Sequence, residues 1–293
     1  MRSPVLIGRR PELHALVSAL DRAEAGAGGA LCLAGDPGVG KSRLATEISS
    51  LASARGFARY TGRAVQPASP LPFGPVRETL RAAWRTGSLD KTAGDSPYRP
   101  VLASLVPELA LPRQHHAEVN PLTVAEAMLR VLGPAGSAGS LLILEDLHLA
   151  DPDTLATVDY IADNLGDRPI LCVVTLRDDE PSAGLDMIRM IYARRSADLM
   201  VVPRLSAAEV EEMASACLDG DPVAAAAAGR LLGGCDGLPF AVEEILAAAV
   251  ASGELEHQMD GWHLKDGIST EIPASIVGSA RHRLTALGPQ AAG

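Results

Sequence analysis

The chain has 293 residues, enough for about two domains, and 47% apolar with 21% charged residues is the composition of a globular protein. Its formal net charge is −10, with 36 acidic residues against 26 Lys and Arg, which excludes a broadly basic nucleic-acid-binding surface. Aromatic residues are only 3%, so the core must be built from Ala, Leu, Val and Ile, and no run of about 18 apolar residues offers a membrane span.

Residues 11–24 read as an amphipathic helix with Leu13, Leu16, Val17 and Leu20 on one face, stopped by the glycines at 26, 28 and 29. No apolar stretch follows Arg2, so no signal peptide is expected and the chain reads as soluble and cytoplasmic. The apolar run 30–34 reads as a buried strand, the octapeptide GDPGVGKS follows from Gly35 to Ser42, and 42–54 reads as helix. Residues 57–65 carry β-type side chains, and 66–75 hold four prolines and read as loop. Helix is expected at 76–84, irregular chain at 87–100, helices at 101–109 and 123–132, and a glycine-rich break at 133–139. Residues 141–144 form a pure apolar run ending in Glu145 and Asp146. A helix at 152–165 follows, with Asp151 placed as its cap. A buried strand at 170–176 ends in Arg177, and helix 185–195 and strand 199–202 complete an alternating pattern. Such alternation predicts an α/β fold with a mainly parallel five-stranded sheet covered by helices. After Pro203 the pattern turns helical. Ser206 and Glu209 form a capping-box signal opening 207–217, helices are expected at 223–232, 240–252 and 272–287, and Asp260-Gly261 marks a hairpin over 258–264. Cys32, Cys172, Cys217 and Cys235 include no C-x-x-C pair. Cys32 and Cys172 lie in strand-like runs and read as buried core.

GDPGVGKS matches the phosphate-binding pattern G-x-x-x-x-G-K-[ST] at every fixed position, between a strand and a helix as that chemistry requires. Gly35, Gly38 and Gly40 let the backbone curl into an anion nest, and the helix N-terminus adds free N–H groups and a partial positive charge. Asp36, Pro37, Gly38, Val39, Gly40, Lys41, Ser42 and Arg43 are therefore the expected nucleotide-binding residues. Lys41 can reach the β/γ-phosphates, and the Ser42 hydroxyl can occupy one place on Mg²⁺. LLILED fits the Walker B pattern, in which one acid holds Mg²⁺, directly or through water, and the next polarises the attacking water. Here the first acid is Glu145 where Asp is usual, so the order leaves the roles of Glu145 and Asp146 open; both are candidate metal and catalytic residues. Arg177 closes the next strand, either as a bidentate contact to a γ-phosphate or as a solvated strand end. His148 reads either as a partner behind the site or as a structural turn residue.

In order along the chain, IGRRPEL, GDPGVGKS, LLILEDLHLAD, VVTLR and GLPFAVEEI resemble the nucleotide-binding module of STAND-class signalling ATPases, relatives of the AAA proteins. Within that class the chain is most similar to the large ATP-binding regulators of the LuxR family, bacterial transcription activators. The similarity spans residues 7 to about 287. It implies that Gly8, Arg9 and Pro239 flank the nucleotide base, that Arg177 is the strand-end sensor, and that 272–287 begins a winged helix. The implied organisation is a P-loop domain over 1–204, a helical lid over 205–253, and a hairpin with the start of a winged helix over 254–293. Relatives commonly carry Trp where this chain has Leu149, a departure expected to affect packing.

The implied function is an ATP/ADP-binding switch with Mg²⁺. ADP would hold a closed form, and an inducer would favour exchange for ATP and self-association. Hydrolysis would be slow, and DNA would be contacted only through a C-terminal domain absent from this chain. The chain is accordingly expected to be a fragment of a longer protein. Two other readings are a motor-type AAA ATPase, for which Arg194 and Arg195 are the only candidate fingers, and a small-molecule P-loop kinase. The paired acids and the helical tail argue against the kinase.

Overall fold

The computed structural model describes residues 1–65, 72–87, 89, 96–110, 119–132, 138–221, 229, 231–259 and 261–265. Two compact units emerge: Pro11–Gly35 with Lys41–Val201, and Met1–Arg10 with Asp36–Gly40 and Val202–Gly293.

The first unit is built on five parallel strands, β1 (Gly29–Ala34), β2 (Ala58–Arg63), β3 (Ser140–Glu145), β4 (Ile170–Thr175) and β5 (Asp198–Val201), in the order β2-β3-β4-β1-β5. Burial follows position in the sheet. β4 is buried throughout and β1 and β3 at all but one residue each, whereas β2 and β5, at the edges, expose part of each strand. That is why the three central strands read as unbroken apolar runs in the sequence. Helices α1 (Arg10–Glu24), α2 (Lys41–Ala54), α3 (Gly74–Arg85), α4 (Arg99–Leu105), α5 (Pro121–Leu132), α6 (Pro152–Asp163) and α7 (Ala183–Ala193) complete the unit. Its core is largely Leu, Ala, Val and Ile, with Tyr60 and Phe73 as aromatic members. Cys32 and Cys172 lie inside it as packing groups, and burial pushes the Cys172 thiol up to about 12.

Several boundaries differ by a few residues from the sequence reading, and at two of them a proline is the reason. The helix expected over 101–109 stops at Leu105 and resumes as a 3-10 turn, Pro107–Leu109, with Val106 extended at φ −126° and ψ 90°. Pro107 disfavours a helical conformation at the residue before it. In contrast, α3 begins earlier than expected, because Pro75 fits the first helical turn, where no N–H is needed.

In the second unit, Ser206 and Glu209 make the expected capping box at the start of α8 (Ala207–Cys217). A 3-10 turn (Leu231–Gly234) precedes α9 (Pro239–Ser252), which ends at Gly253 in the left-handed region. Strands β6 (Leu255–Gln258) and β7 (Gly261–Leu264) pair antiparallel as the hairpin. Most of the helix expected at 223–232, and all of the winged-helix segment at 272–287, lie outside the described residues. Among the described residues no helix is long and apolar enough to cross a membrane.

Asp151 joins two helix starts within the first unit. Its carboxylate accepts the Thr154 N–H (2.9 Å) and hydroxyl (2.6 Å) at α6, and the N–H groups of Phe73 (3.1 Å) and Gly74 (3.4 Å) at α3. Burial opposes its charge, but these donors outweigh burial and hold the carboxyl below its usual range. Asp151→Ala should cost about 1–2 kcal/mol in denaturant unfolding near neutral pH. A depressed folded-state pKa stabilises above the unfolded value and loses that contribution as pH falls through the folded one. The gap between wild type and variant should therefore close below about pH 4; a gap that is absent at pH 7 would contradict the double cap.

Candidate nucleotide-binding site

Because β1 to β4 are parallel, their C-terminal ends meet at one edge of the sheet, the usual place for ligands in open α/β folds. β1 ends at Ala34, and Gly35, at φ 147°, turns the chain into the loop. Lys41 opens α2 and is 7% exposed; its ammonium donates to the Gly35 carbonyl at 2.6 Å. Burial pulls the Lys41 pKa down, Asp146 opposes this, and Arg177 adds to it. Next to it, the Ser42 hydroxyl donates to Glu145 at 2.7 Å, bringing the last position of the loop motif onto the first acid after β3.

Asp146 follows in the left-handed region, at φ 58° and ψ 39°. Its N–H donates to the hydroxyl of the wholly buried Thr175 (3.1 Å), and its carboxylate accepts one hydrogen bond from Arg63 Nε at 2.8 Å within an ion pair in which Nη2 also lies at 2.8 Å. The Arg177 N–H donates to His148 Nδ1 at 3.4 Å, which makes His148 a partner at the end of β4. Burial lowers the His148 pKa; Asp146 opposes this, while Arg177 and Lys41 reinforce it. Lys41, Ser42, Glu145, Asp146 and Arg177 are thus brought together. Arg43 instead pairs with Glu47 one helical turn on, at 2.9 Å.

The second unit holds the remaining expected residues around loop positions 36–40. Gly38 and Gly40 have φ values of 79° and 107°, which a side chain would resist. The Val39 N–H closes a turn onto the Asp36 carbonyl at 3.3 Å. The Asp36 carboxylate accepts from Arg204 at 2.6 Å, and Arg204 also binds Asp236. Pro37 is half-buried in the same turn. The Gly38 carbonyl accepts the Phe240 N–H at 3.2 Å, and a Cβ placed on Gly40 would lie 3.9 Å from Pro239. Gly8, at φ 66°, sits against Leu205 and Glu209, and the Arg9 guanidinium donates to the Val39 carbonyl at 2.9 Å.

Within the first unit, a buried ammonium, a hydroxyl touching a carboxylate and a second acid are groups that can receive a phosphate with its cation. The Ser42 and Glu145 oxygens, 2.7 Å apart, are hard donors suited to Mg²⁺, which keeps waters and phosphate oxygens as its other ligands and needs no protein cage. Among the described residues no cluster of three or more His, Cys, Asp or Glu is placed to hold a metal by itself.

The sequence profile described as an AAA ATPase domain matches residues 5–174, more than half of the chain. The chain belongs to the AAA ATPase domain family. Its fold is similar to that of the Aeropyrum pernix ORC2 protein in ADPNP–ADP complexes, with a TM-score of 0.55 at 16% identity, covering 95% of this chain and 69% of that one. The ADP form of ORC2 gives 0.51 at 17% identity, covering 95% and 70%. A Thermotoga maritima RuvB variant gives 0.46 at 14%, covering 94% and 71%. No curated protein gives a match.

Sequence reasoning on this AAA domain missed Arg63, Arg204 and the Phe240 N–H. Arg63 ends β2 directly beside Glu145, but only the strand order reveals it. Phe240 was visible as the residue after the GLP turn, although nothing local pointed its N–H at Gly38.

Lys41→Ala should weaken ATP and ADP binding by about tenfold or more, roughly 1.4 kcal/mol, with the fold retained. Calorimetric titration checks this, and unchanged affinity would contradict the assignment of the loop.

Proposed function

We propose that the chain is the ATP/ADP-binding switch module, and a slow ATPase, of a bacterial LuxR-type transcriptional regulator. The observation that carries the nucleotide reading is the contact of the Ser42 hydroxyl with Glu145 beside the buried Lys41. In this reading the loop N–H groups and Lys41 hold the phosphates, and Ser42 and Glu145 hold Mg²⁺. Mg²⁺ held there by Ser42 and Glu145 would supply positive charge against the charge that develops on the transferred phosphate. Arg177 faces the γ-phosphate, and Gly8 and Pro239 flank the base.

The slow turnover is supported by Asp146, the acid that would orient water in this reading. One of its oxygens accepts a hydrogen bond from Arg63 Nε within an ion pair with that guanidinium, and its backbone N–H is fixed by Thr175. The regulator assignment is supported by the ordered series from Gly8-Arg9 to Gly237-Leu238-Pro239 that resembles the LuxR-type regulators. In such a regulator the ATP state self-associates, an inducer sets the exchange of nucleotide, and DNA is read by another domain.

Membership of the AAA family also accommodates a motor-type ATPase. That reading needs a free arginine finger. Arg194, one of its two candidates, is bound to Asp159 and Asp163 of its own chain, whereas Arg195 is exposed at the end of α7. Rapid ATP turnover by the chain without any inducer would favour the motor.

The two acids should separate in a mutant pair. Asp146→Asn should slow hydrolysis while ATP still binds, and Glu145→Gln should weaken the Mg²⁺ dependence of binding. If Asp146→Asn abolishes Mg²⁺-dependent binding and Glu145→Gln spares it, the roles are reversed.

A further inference from the structure

Arg9 is a charged residue only 3% exposed, so its burial needs a reason beyond solvation. Its guanidinium donates to the Val39 carbonyl at 2.9 Å, a bond between two buried groups. The approach is set by Gly8. At φ 66° it lies so close to α8 that a Cβ there would come within 2.5 Å of Glu209 Oε1. Glu209 is in turn fixed by the Ser206 N–H at 2.7 Å and the Ser206 hydroxyl at 2.8 Å. The residue before Arg9 is thus packed against a fixed side chain, and Arg9 itself ends on the Val39 carbonyl.

The consequence follows from peptide planarity. In a trans peptide the C=O of one residue and the N–H of the next point to opposite sides. Holding the Val39 carbonyl on the Arg9 guanidinium therefore fixes the Gly40 N–H on the opposite side of that peptide, away from Arg9. The preceding plane is held similarly, with the Gly38 carbonyl on the Phe240 N–H and the Val39 N–H on the Asp36 carbonyl. Of these two planes, only the Val39–Gly40 one is held by a side chain.

We propose that Arg9 is a positioning residue of the phosphate loop, fixing the Val39–Gly40 peptide so that the Gly40 N–H is presented to a nucleotide phosphate. Arg9 then governs phosphate affinity and leaves base choice to other residues, unlike the base-flanking role that the family resemblance implies for it. This rests on the nucleotide-binding reading above.

The test uses the full chain, with inorganic pyrophosphate, ATP and GTP as probes, each with Mg²⁺. Arg9→Gln should weaken pyrophosphate and ATP by the same factor, about tenfold, the worth of a hydrogen bond from a charged group. The ratio of ATP to GTP affinity should stay at the wild-type value. Arg9→Lys, which keeps a cation and one donor, should recover part of the loss for both probes, and it carries the same comparison if Arg9→Gln does not fold. Pyrophosphate affinity unchanged in the variants while ATP binding falls would overturn the proposal, as would a shift in the ATP to GTP ratio. A wild-type chain that binds none of the three probes would overturn the nucleotide reading itself, and a difference confined to the variants bears on Arg9 alone.

Discussion

The parallel register of β1, β3 and β4 is the constraint on which the site rests. Leu33 pairs with Thr175, and Leu144 with Val174, so the loop after Ala34, the acids at Glu145 and Asp146, and the Thr175 hydroxyl arrive at one level. A shift of one residue in any pairing would turn every side chain of that strand to the other face. The strands resist this because β1, β3 and β4 are buried on both faces among Leu, Val, Ile and Ala. The hydrogen bond from Ser42 to Glu145, which crosses 103 residues of sequence, follows from that register.

The loop itself needs a second kind of support. A strand and a helix fix its ends, but a glycine-rich turn with three positive φ values has little preference of its own. Positions 36–40 are held through polar groups: Arg204 on the Asp36 carboxylate, the Phe240 N–H on the Gly38 carbonyl and Arg9 on the Val39 carbonyl. A loop left without them would have to lose conformational freedom on binding, at a cost to affinity.

Much of this was legible in the sequence because the signals are local. GDPGVGKS carries its own chemistry, central strands buried on both faces print as apolar runs, and Asp151 and Ser206 stand at the starts of helices that they cap. The misreading at Pro107 was also local: apolar periodicity continued through a residue that cannot continue a helix. Arg63 and Arg204 were not legible. Their partners, Asp146 and Asp36, lie 83 and 168 residues away, and one guanidinium among many shows no destination until strand order and chain path are known. For Arg9 the residue was visible and its destination was not. A Gly-Arg pair before the first helix can be read as lining a pocket, whereas the folded chain buries the guanidinium on a backbone carbonyl.

The proposed function requires this AAA domain to hold its nucleotide as a switch would, tightly and with little turnover. The most direct measurement is to purify the chain in buffer without added nucleotide, denature it, and identify and quantify what is released by chromatography. The account predicts ADP at close to one equivalent per chain. A chain that emerges empty and then hydrolyses added ATP rapidly, with no inducer present, would contradict it.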